Sequence, residues 1–211
     1  MQNNTSQMVA LLGKIRKQMN GAMLDTFRYY GANYGVNYGV AIHTLRDMAT
    51  ELGVDDSLSR FLYLQQVREL RIIALWIADA TTVNTSDFDF WAKGIVNSEV
   101  SEQAAQALLC HIEQINQLLD CWGNEGSELL VYAAGLAASR SSRVQIDSAV
   151  KFVQNVVLRF TDNRLAAQGI VALLASKIAT DRDTITTLLD SIADNPTSRL
   201  IKEEISWRLE Y

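Results

Sequence analysis

The chain has 211 residues, of which 48% are hydrophobic and 20% are charged, so it can bury one substantial core. This composition excludes a disordered protein, and we expect one folded domain over residues 1–211. No stretch reaches the roughly 18 consecutive apolar residues that cross a bilayer, and the first residues lack a signal-peptide pattern. We therefore expect a cytoplasmic protein without a membrane partner. Because the formal net charge is −5, nucleic acid could bind only at a locally basic face.

The single proline in the chain favours helices, because β-sandwiches and barrels need turn residues far more often. Apolar residues recur at the three- and four-residue spacing of one helical face, and no segment shows sustained period-two alternation. These apolar stripes start at Leu45, Leu70, Leu108 and Ile201. The sequence therefore predicts an all-α protein without a sheet.

Glycines, polar residues and capping signals mark the connections between the helices. Residues 29–40 contain Asn-Tyr-Gly-Val twice and are predicted to form a turn-rich connection before a helix. Residues 180–183 read as a variant capping box, and Asn195-Pro196 places a cap before a proline at the first helical position. These signals divide the chain into roughly eleven or twelve helices with short links, which favour antiparallel neighbours. Periodicity alone does not decide between a globular bundle and a stack of helical hairpins.

The cysteines and histidines are too few for a disulfide framework or a metal site. Cys110 and Cys121 are predicted to share a helix, on which they would lie far beyond bridging distance. Cys110 and His111 are adjacent and point about 100° apart, which is poor geometry for joint ligation. The remaining histidine, His43, is distant in sequence. We expect no metal and no cofactor, and we interpret the thiols as reduced core residues.

Basic residues cluster at three places that could bind nucleic acid. The clusters are Lys14, Arg16 and Lys17 on the first helix, Arg68 with Arg71, and Arg140 with Arg143 in a connecting segment. Such clusters are more often solvated helix faces, which is the interpretation that we favour from charge alone. The tyrosines near residues 29–38 could stack on bases or cap the core, and we favour the second.

A recognisable order of motifs lies between residues 38 and 79. It comprises a Gly-Val turn at residues 39–40, Leu-Arg-x-x-Ala at residues 45–49 and Glu-x-Arg-x-x-Ala at residues 69–74. This order resembles the AlkD-like DNA alkylation repair family, the HEAT-like repeat alkylpurine DNA glycosylases. The resemblance continues more loosely through Trp91, Trp122 and Glu128 to residues 198–203.

The resemblance implies an α-solenoid of stacked antiparallel HEAT-like helical pairs, with a concave surface that cradles DNA. It also implies an activity, the removal of positively charged alkylated purines, in which an aspartate and aromatic side chains stabilise the cationic sugar. A shielded carboxylate that faces a developing positive charge is an effective electrostatic catalyst.

The catalytic motif of the family is altered in this chain. The family sequence Trp-Asp-x-x-Asp-Gln matches residues 97–103, but the match is one residue short. Glu99 stands nearest to the place of the tryptophan, and the aspartate position falls on Glu102, beside Gln103. Together, the added methylene and the deletion can move a carboxylate by about an ångström or more, which is costly for preorganised catalysis.

Two further features of the family are also changed. The arginine pair that faces DNA corresponds to Val131 and Tyr132. A second tryptophan falls on Val156, in a segment that keeps the family's arginine as Arg159. Together these changes imply a dismantled glycosylase site.

Three functions remain open. The first is a nucleic-acid-binding protein related to DNA alkylation repair, with a degenerate glycosylase site. Its candidate binding residues are Lys14, Arg16, Lys17, Arg140, Arg143 and Arg159. The second is an active glycosylase that uses Glu102, and the third is a helical-repeat scaffold that binds a protein partner. The first and third rank close together, because the acidic balance and the lost arginine pair weaken the case for DNA.

Overall fold

The computed structural model describes residues 3–29 and 34–210, except for the side chain of Arg28. This part of the chain contains twelve α-helices and no strand, apart from an isolated parallel bridge between Val36 and Val67. The predicted all-α fold is therefore confirmed. The chain forms two compact units, residues 1–79 and residues 80–211, and the predicted single domain stays a prediction. Within the described residues, no helix is both long enough and apolar enough to cross a membrane.

The described part of the first unit is built around its last helix. Its helices are α1 (Asn4–Lys17), α2 (Gly21–Tyr29), α3 (Ile42–Leu52), α4 (Asp56–Tyr63) and α5 (Arg68–Ile77). Helix α5 packs against α3 and α4, and α1 adds Leu11 and Ile15 to the buried residues. The side chain of Asp55 caps α4 by accepting a hydrogen bond from the Leu58 N–H at 2.9 Å.

The segment between α2 and α3 is a tight, irregular connection, as predicted for the part that the structure describes. Residues 30–33 of the predicted connection lie outside the described residues. Gly39 adopts a φ of 70°, and a Cβ atom there would lie 2.3 Å from the carbonyl oxygen of Asn20. Glycine is required at this position both for its backbone conformation and for the close approach.

A buried ion pair at the start of α5 holds this segment. The Oε1 atom of Glu69 accepts hydrogen bonds from the N–H groups of Tyr38 and Val40 at 3.1 and 3.3 Å. The Arg68 guanidinium donates to the Val40 carbonyl at 2.8 Å and lies 3.0 Å from Glu69 Oε1. Because Arg68 is only 1% exposed, its guanidinium cannot reach phosphate, and Arg68 is neither part of a basic binding cluster nor on a solvated helix face.

The second unit contains the remaining described helices. These are α6 (Phe88–Ala92), α7 (Ser98–Ala107), α8 (Ile115–Glu125), α9 (Glu128–Arg140), α10 (Ile146–Arg159), α11 (Arg164–Ser191) and α12 (Pro196–Glu210). Short 3-10 turns, Thr85–Asp87 and Leu109–His111, precede α6 and follow α7. The predicted proline at the first position of a helix is confirmed by Pro196 in α12.

The helices of the second unit lie in two layers of consecutive antiparallel pairs. Helices α7, α9, α11 and α12 pack side by side, and α8 packs beside α10 in the other layer. Contacts near successive N-termini show that the first set runs in parallel: Ser101 Oγ donates to the Leu129 carbonyl, and Thr197 Oγ1 accepts from the Asn163 N–H. We call α7, α9, α11 and α12 the parallel layer. Pairs α8–α9 and α10–α11 have the hairpin arrangement expected of HEAT-like repeats.

One predicted helix is interrupted. The apolar stripe from Leu108 to Leu119 crosses a break, because Leu108 has a φ of −126° and Ile112 has an extended backbone with ψ of 147°. Both residues are completely buried, so the irregular turn fills the core as a helix would. Cys110 therefore lies in the 3-10 turn and Cys121 in α8, rather than on one helix as the sequence predicted.

The capping sequence predicted at residues 180–183 coincides with a kink in the structure. The capping sequence at residues 180–183 lies inside α11, where Asp181 departs from helical geometry with a φ of −131° and a ψ of 32°. The Thr180 hydroxyl lies 2.5 Å from Asp181 Oδ2 at this kink. The local signal therefore marked a real boundary, because Asp181 separates two helical segments, residues 164–180 and 182–191, within the range given for α11.

Candidate functional site

Glu102 lies on the exposed side of α7, in the parallel layer. The side chain of Asn97 caps this helix by accepting a hydrogen bond from the Val100 N–H at 3.0 Å. The hydroxyl of Tyr132, on α9, donates a hydrogen bond to Glu102 Oε1 at 3.1 Å. The carboxylate is therefore held in place by a phenol from the neighbouring helix, a partner that the sequence analysis did not identify.

Tyr132 stays a neutral hydrogen-bond donor across the physiological range. Burial raises the pKa of Tyr132 to about 12, and the charge of Glu102 and the hydrogen bond to it act in the same direction, against a smaller lowering by Arg140. Since the proton stays on the phenol, Tyr132 is the donor of this hydrogen bond and Glu102 Oε1 is the acceptor.

Glu99 lies three residues before Glu102 on α7 and is half-buried. Burial, and then the charge of Glu102, raise the pKa of Glu99 to about 7. Two carboxyl groups with different environments thus occupy one side of α7, where the resemblance places an aromatic wall and a catalytic aspartate. A carboxyl group that is partly neutral near pH 7 can exchange a proton, but it cannot replace a flat aromatic surface.

Val131 and Val156, which replace an arginine and a tryptophan of the family, do not face Glu102. Val131 is fully buried in α9, and Val156 is fully buried in α10, which belongs to the other layer. Tyr132, the second position of the altered arginine pair, contacts the Glu102 carboxylate through its hydroxyl.

The first basic cluster lies on the last turns of α1. Lys14, Arg16 and Lys17 are exposed there, and Lys14 Nζ forms an ion pair with Glu51 Oε2 at 2.7 Å. Cations at a helix C-terminus also stabilise the helix dipole, so this cluster has a structural use besides any binding role.

Two further candidates lie near the C-terminus of α9. Arg140 is exposed and donates to the carbonyl of Leu136, one turn earlier, at 2.8 Å. Arg143 is exposed in the segment that follows, and its backbone carbonyl accepts a hydrogen bond from the Asn116 side chain at 3.0 Å. The guanidinium of Arg143 makes no ion pair with a described residue.

The side chain of Arg159 has a structural role, because it bonds backbone carbonyls of a neighbouring helix. Its guanidinium donates to the carbonyl of Gly123 at 2.7 Å and to that of Gly126 at 2.8 Å. These carbonyls lie at the C-terminal end of α8, where backbone acceptors lack partners within the helix. The guanidinium also lies over the ring of Phe160, 5.0 Å from its centroid. Arg159 therefore ties α10 to the end of α8.

A groove between α11 and α12 was not identified from the sequence. Its volume is about 390 Å³, and its floor is made of small and apolar side chains. The floor residues are Ala167, Val171, Ala172, Ala175 and Leu200. Arg164, Arg208, Gln168 and Glu204 complete the lining. A possible signal was the four-residue spacing of Leu200, Glu204 and Arg208 on α12, but that spacing is common on any helix.

Charge is divided unevenly between the two units. Residues 1–79 contain eight lysines and arginines and seven carboxylates, whereas residues 80–211 contain eleven and seventeen. The formal net charges are therefore +1 and −6. In the second unit, a polyanion could bind only where cations gather locally.

The thiols and histidines form no cluster with other candidate ligands. Across residues 3–29 and 34–210, no group of three or more His, Cys, Asp or Glu side chains could hold a metal ion. Cys110 is buried and Cys121 is half-buried, and burial raises the pKa of both thiols. Both are free thiols, and Cys121 is less buried than the core position expected from the sequence.

Comparisons with known proteins bear on the fold. No protein-family model matches the sequence, and no curated protein gives a significant match. The structure is similar to a solved structure from a new family of proteins that are related to the HEAT-like repeat DNA glycosylases and have affinity for branched DNA structures. The TM-score is 0.69 at 16% sequence identity, and the match covers 96% of this chain and 95% of that chain. The family resemblance found in the sequence is thus confirmed at the level of the fold.

Proposed function

We propose that this protein binds DNA, with a preference for branched or otherwise unpaired structures, and that it does not excise alkylated bases. The observation that carries the proposal is the fold, which it shares over nearly its whole length with a structure from a family that has affinity for branched DNA. DNA binding of this kind requires local cations rather than a basic protein, because each phosphate contact is short-ranged at physiological salt.

The geometry around Glu102 supports the absence of glycosylase activity. Base excision needs a carboxylate at a fixed distance from the sugar, shielded from water by neighbouring surfaces. Glu102 is exposed and engaged by Tyr132, and its helical neighbour Glu99 is a second carboxyl group instead of an aromatic wall. A second carboxylate would raise the cost of bringing DNA phosphates close to this side of α7.

Two assays on the purified protein test the proposal. Binding is measured by fluorescence anisotropy with a four-way DNA junction, a duplex of the same sequence and an oligothymidine single strand. We expect the junction to bind more tightly than the duplex, with affinities that fall as salt rises. The proposal would be contradicted if the three probes bound with equal affinity, if their affinities did not change with salt, or if none of them bound.

The second assay measures the release of methylated purines from alkylated duplex DNA. We expect no release above the uncatalysed rate, for the wild type and for Glu102→Gln alike. Rapid release that is lost in Glu102→Gln would instead establish the active glycosylase. Absence of both DNA binding and base release would favour the helical-repeat scaffold for a protein partner. The cytoplasmic location stays a prediction.

A further inference from the structure

The groove between α11 and α12 combines features that suit a strand of nucleic acid. Arg164 lies at the N-terminal end of α11 and is exposed, and Arg208 lies near the end of α12. The groove lining has two arginines and one carboxylate, so it is locally positive within a unit whose formal net charge is −6. This charge complements a phosphodiester backbone rather than a basic peptide.

The floor of the groove allows close approach. Three of its residues are alanines, which leave room above the backbone of α11. Gln168 adds an uncharged hydrogen-bonding group at the groove wall, and it is exposed. From Arg164 to Ala175 the groove extends along about 16 Å of helix, at roughly 1.5 Å per residue.

An exposed tryptophan stands beside the groove. Trp207 is 62% exposed, whereas Trp91 and Trp122 are 1% and 2% exposed. Trp207 follows Leu200 by seven residues, which corresponds to a rotation about 20° short of two full turns, so both lie on one side of α12. An exposed indole next to cations is the combination that binds single strands, because an unpaired base stacks on it while the arginines contact phosphates.

We propose that the α11–α12 groove is a binding site for a nucleic-acid strand with unpaired bases, with Arg164 and Arg208 contacting phosphates and Trp207 stacking on a base. This assignment rests on the proposed DNA-binding function and specifies where the unpaired part of the DNA is bound. The Glu204 carboxylate opposes binding electrostatically, and it also orients Arg208, whose Nη1 lies 2.9 Å from Glu204 Oε2.

The arginines are tested by single substitutions that remove one charge each. Arg164→Gln and Arg208→Gln should weaken binding of oligothymidine and of the junction, and each should reduce the salt slope by about 0.7 to 0.9. Glu204→Gln should strengthen binding, because it removes the carboxylate from the groove. Arg182→Gln is the matched control, since Arg182 is exposed on α11 and does not line the groove. Circular dichroism of each variant confirms that it is folded.

The tryptophan is tested separately. Trp207→Ala should weaken binding of oligothymidine by about tenfold and leave duplex binding unchanged, whereas Trp207→Phe should retain most of the affinity. Oligothymidine should also quench the tryptophan fluorescence of the wild type, and this quenching should be lost in Trp207→Ala.

The outcomes separate the groove from the general proposal. Wild-type binding that is unchanged in the arginine and tryptophan variants would overturn the groove assignment and leave DNA binding intact. A wild type that binds none of the probes would overturn both. An acidic peptide that binds the groove more tightly than oligothymidine, with the same dependence on Arg164 and Arg208, would also overturn the nucleic-acid assignment.

Discussion

The close approach of α9 and α11 at Gly135 is expected to be highly sensitive to a single methyl group. A Cβ atom on Gly135 of α9 would lie 2.4 Å from the carbonyl oxygen and 2.5 Å from the carbonyl carbon of Gly169 on α11. These atoms belong to the backbone, so no side chain can rotate away. Ordinary contact of about 3.4 Å could be restored only by moving the two helices apart by about 1 Å, which loses a quarter to a half of the local dispersion energy.

The expected loss follows from two opposing terms. Replacing glycine by alanine inside a helix stabilises it by about 1 kcal/mol, while overpacking costs about 1 to 3 kcal/mol. Because the clash is with backbone, we take the upper end and expect Gly135→Ala to lower the free energy of unfolding by about 2 kcal/mol. For a chain of this size that corresponds to a fall in Tm of about 4 to 8 °C.

Two other glycines provide a graded comparison. A Cβ on Gly169 would lie 3.0 Å from the Cα of Tyr132, so Gly169→Ala should cost less than Gly135→Ala. Gly13, on α1, has nothing within 4 Å of its ideal Cβ position, so Gly13→Ala should raise the stability by about 0.5 to 1 kcal/mol. Thermal and urea unfolding, followed by circular dichroism, measure all three. A Gly135→Ala variant as stable as the wild type, or a reversed order of the series, would refute the close approach.

Three further changes separate structural from binding roles. Arg159→Gln should lower the stability by about 1.5 to 3 kcal/mol in urea unfolding, because it removes bonds to two carbonyls at the end of α8, and it should leave DNA affinity unchanged. The pKa of Glu99 is raised by folding to about 7, from an unfolded value near 4.5, so its contribution to stability is present below pH 4.5 and is lost as the pH rises to 7. Glu99→Gln should therefore flatten the pH dependence of unfolding over that interval and be more stable than the wild type above pH 7; an unchanged pH profile would contradict the raised pKa. Tyr132→Phe should change the stability by less than about 1 kcal/mol, since the hydrogen bond to Glu102 is exposed, and a larger loss in urea unfolding would show that this contact is structural.

The fold could be predicted from sequence because helical periodicity is a local property. The stripes starting at Leu45, Leu70 and Ile201 fall in α3, α5 and α12, and Asn195-Pro196 marks the start of α12. The stripe starting at Leu108 failed because an irregular turn can bury the same apolar residues as a helix. Periodicity reports which residues are buried, but it does not report whether the backbone between them is continuous.

The candidate site could be predicted only in part, because its contacts join distant residues. The motif at residues 97–103 led to Glu102, but its partner Tyr132 is 30 residues away and became visible only once α7 and α9 lay side by side. Arg159 was matched to a DNA-facing position, whereas its guanidinium binds carbonyls 33 and 36 residues earlier. A motif identifies a residue type at a position, and the packing of the layers decides which way that residue faces.

The proposed DNA site does not require a basic protein. At physiological ionic strength, charges more than about 8 Å apart are largely screened, so the carboxylates spread over the second unit do not cancel the arginines of one groove. They do remove long-range attraction, because the field far from the protein follows its net charge. The α11–α12 groove should therefore recognise a strand only after contact, through Arg164, Arg208 and Trp207. Association should be slower than for a basic DNA-binding protein, and selectivity should come from the availability of unpaired bases for stacking.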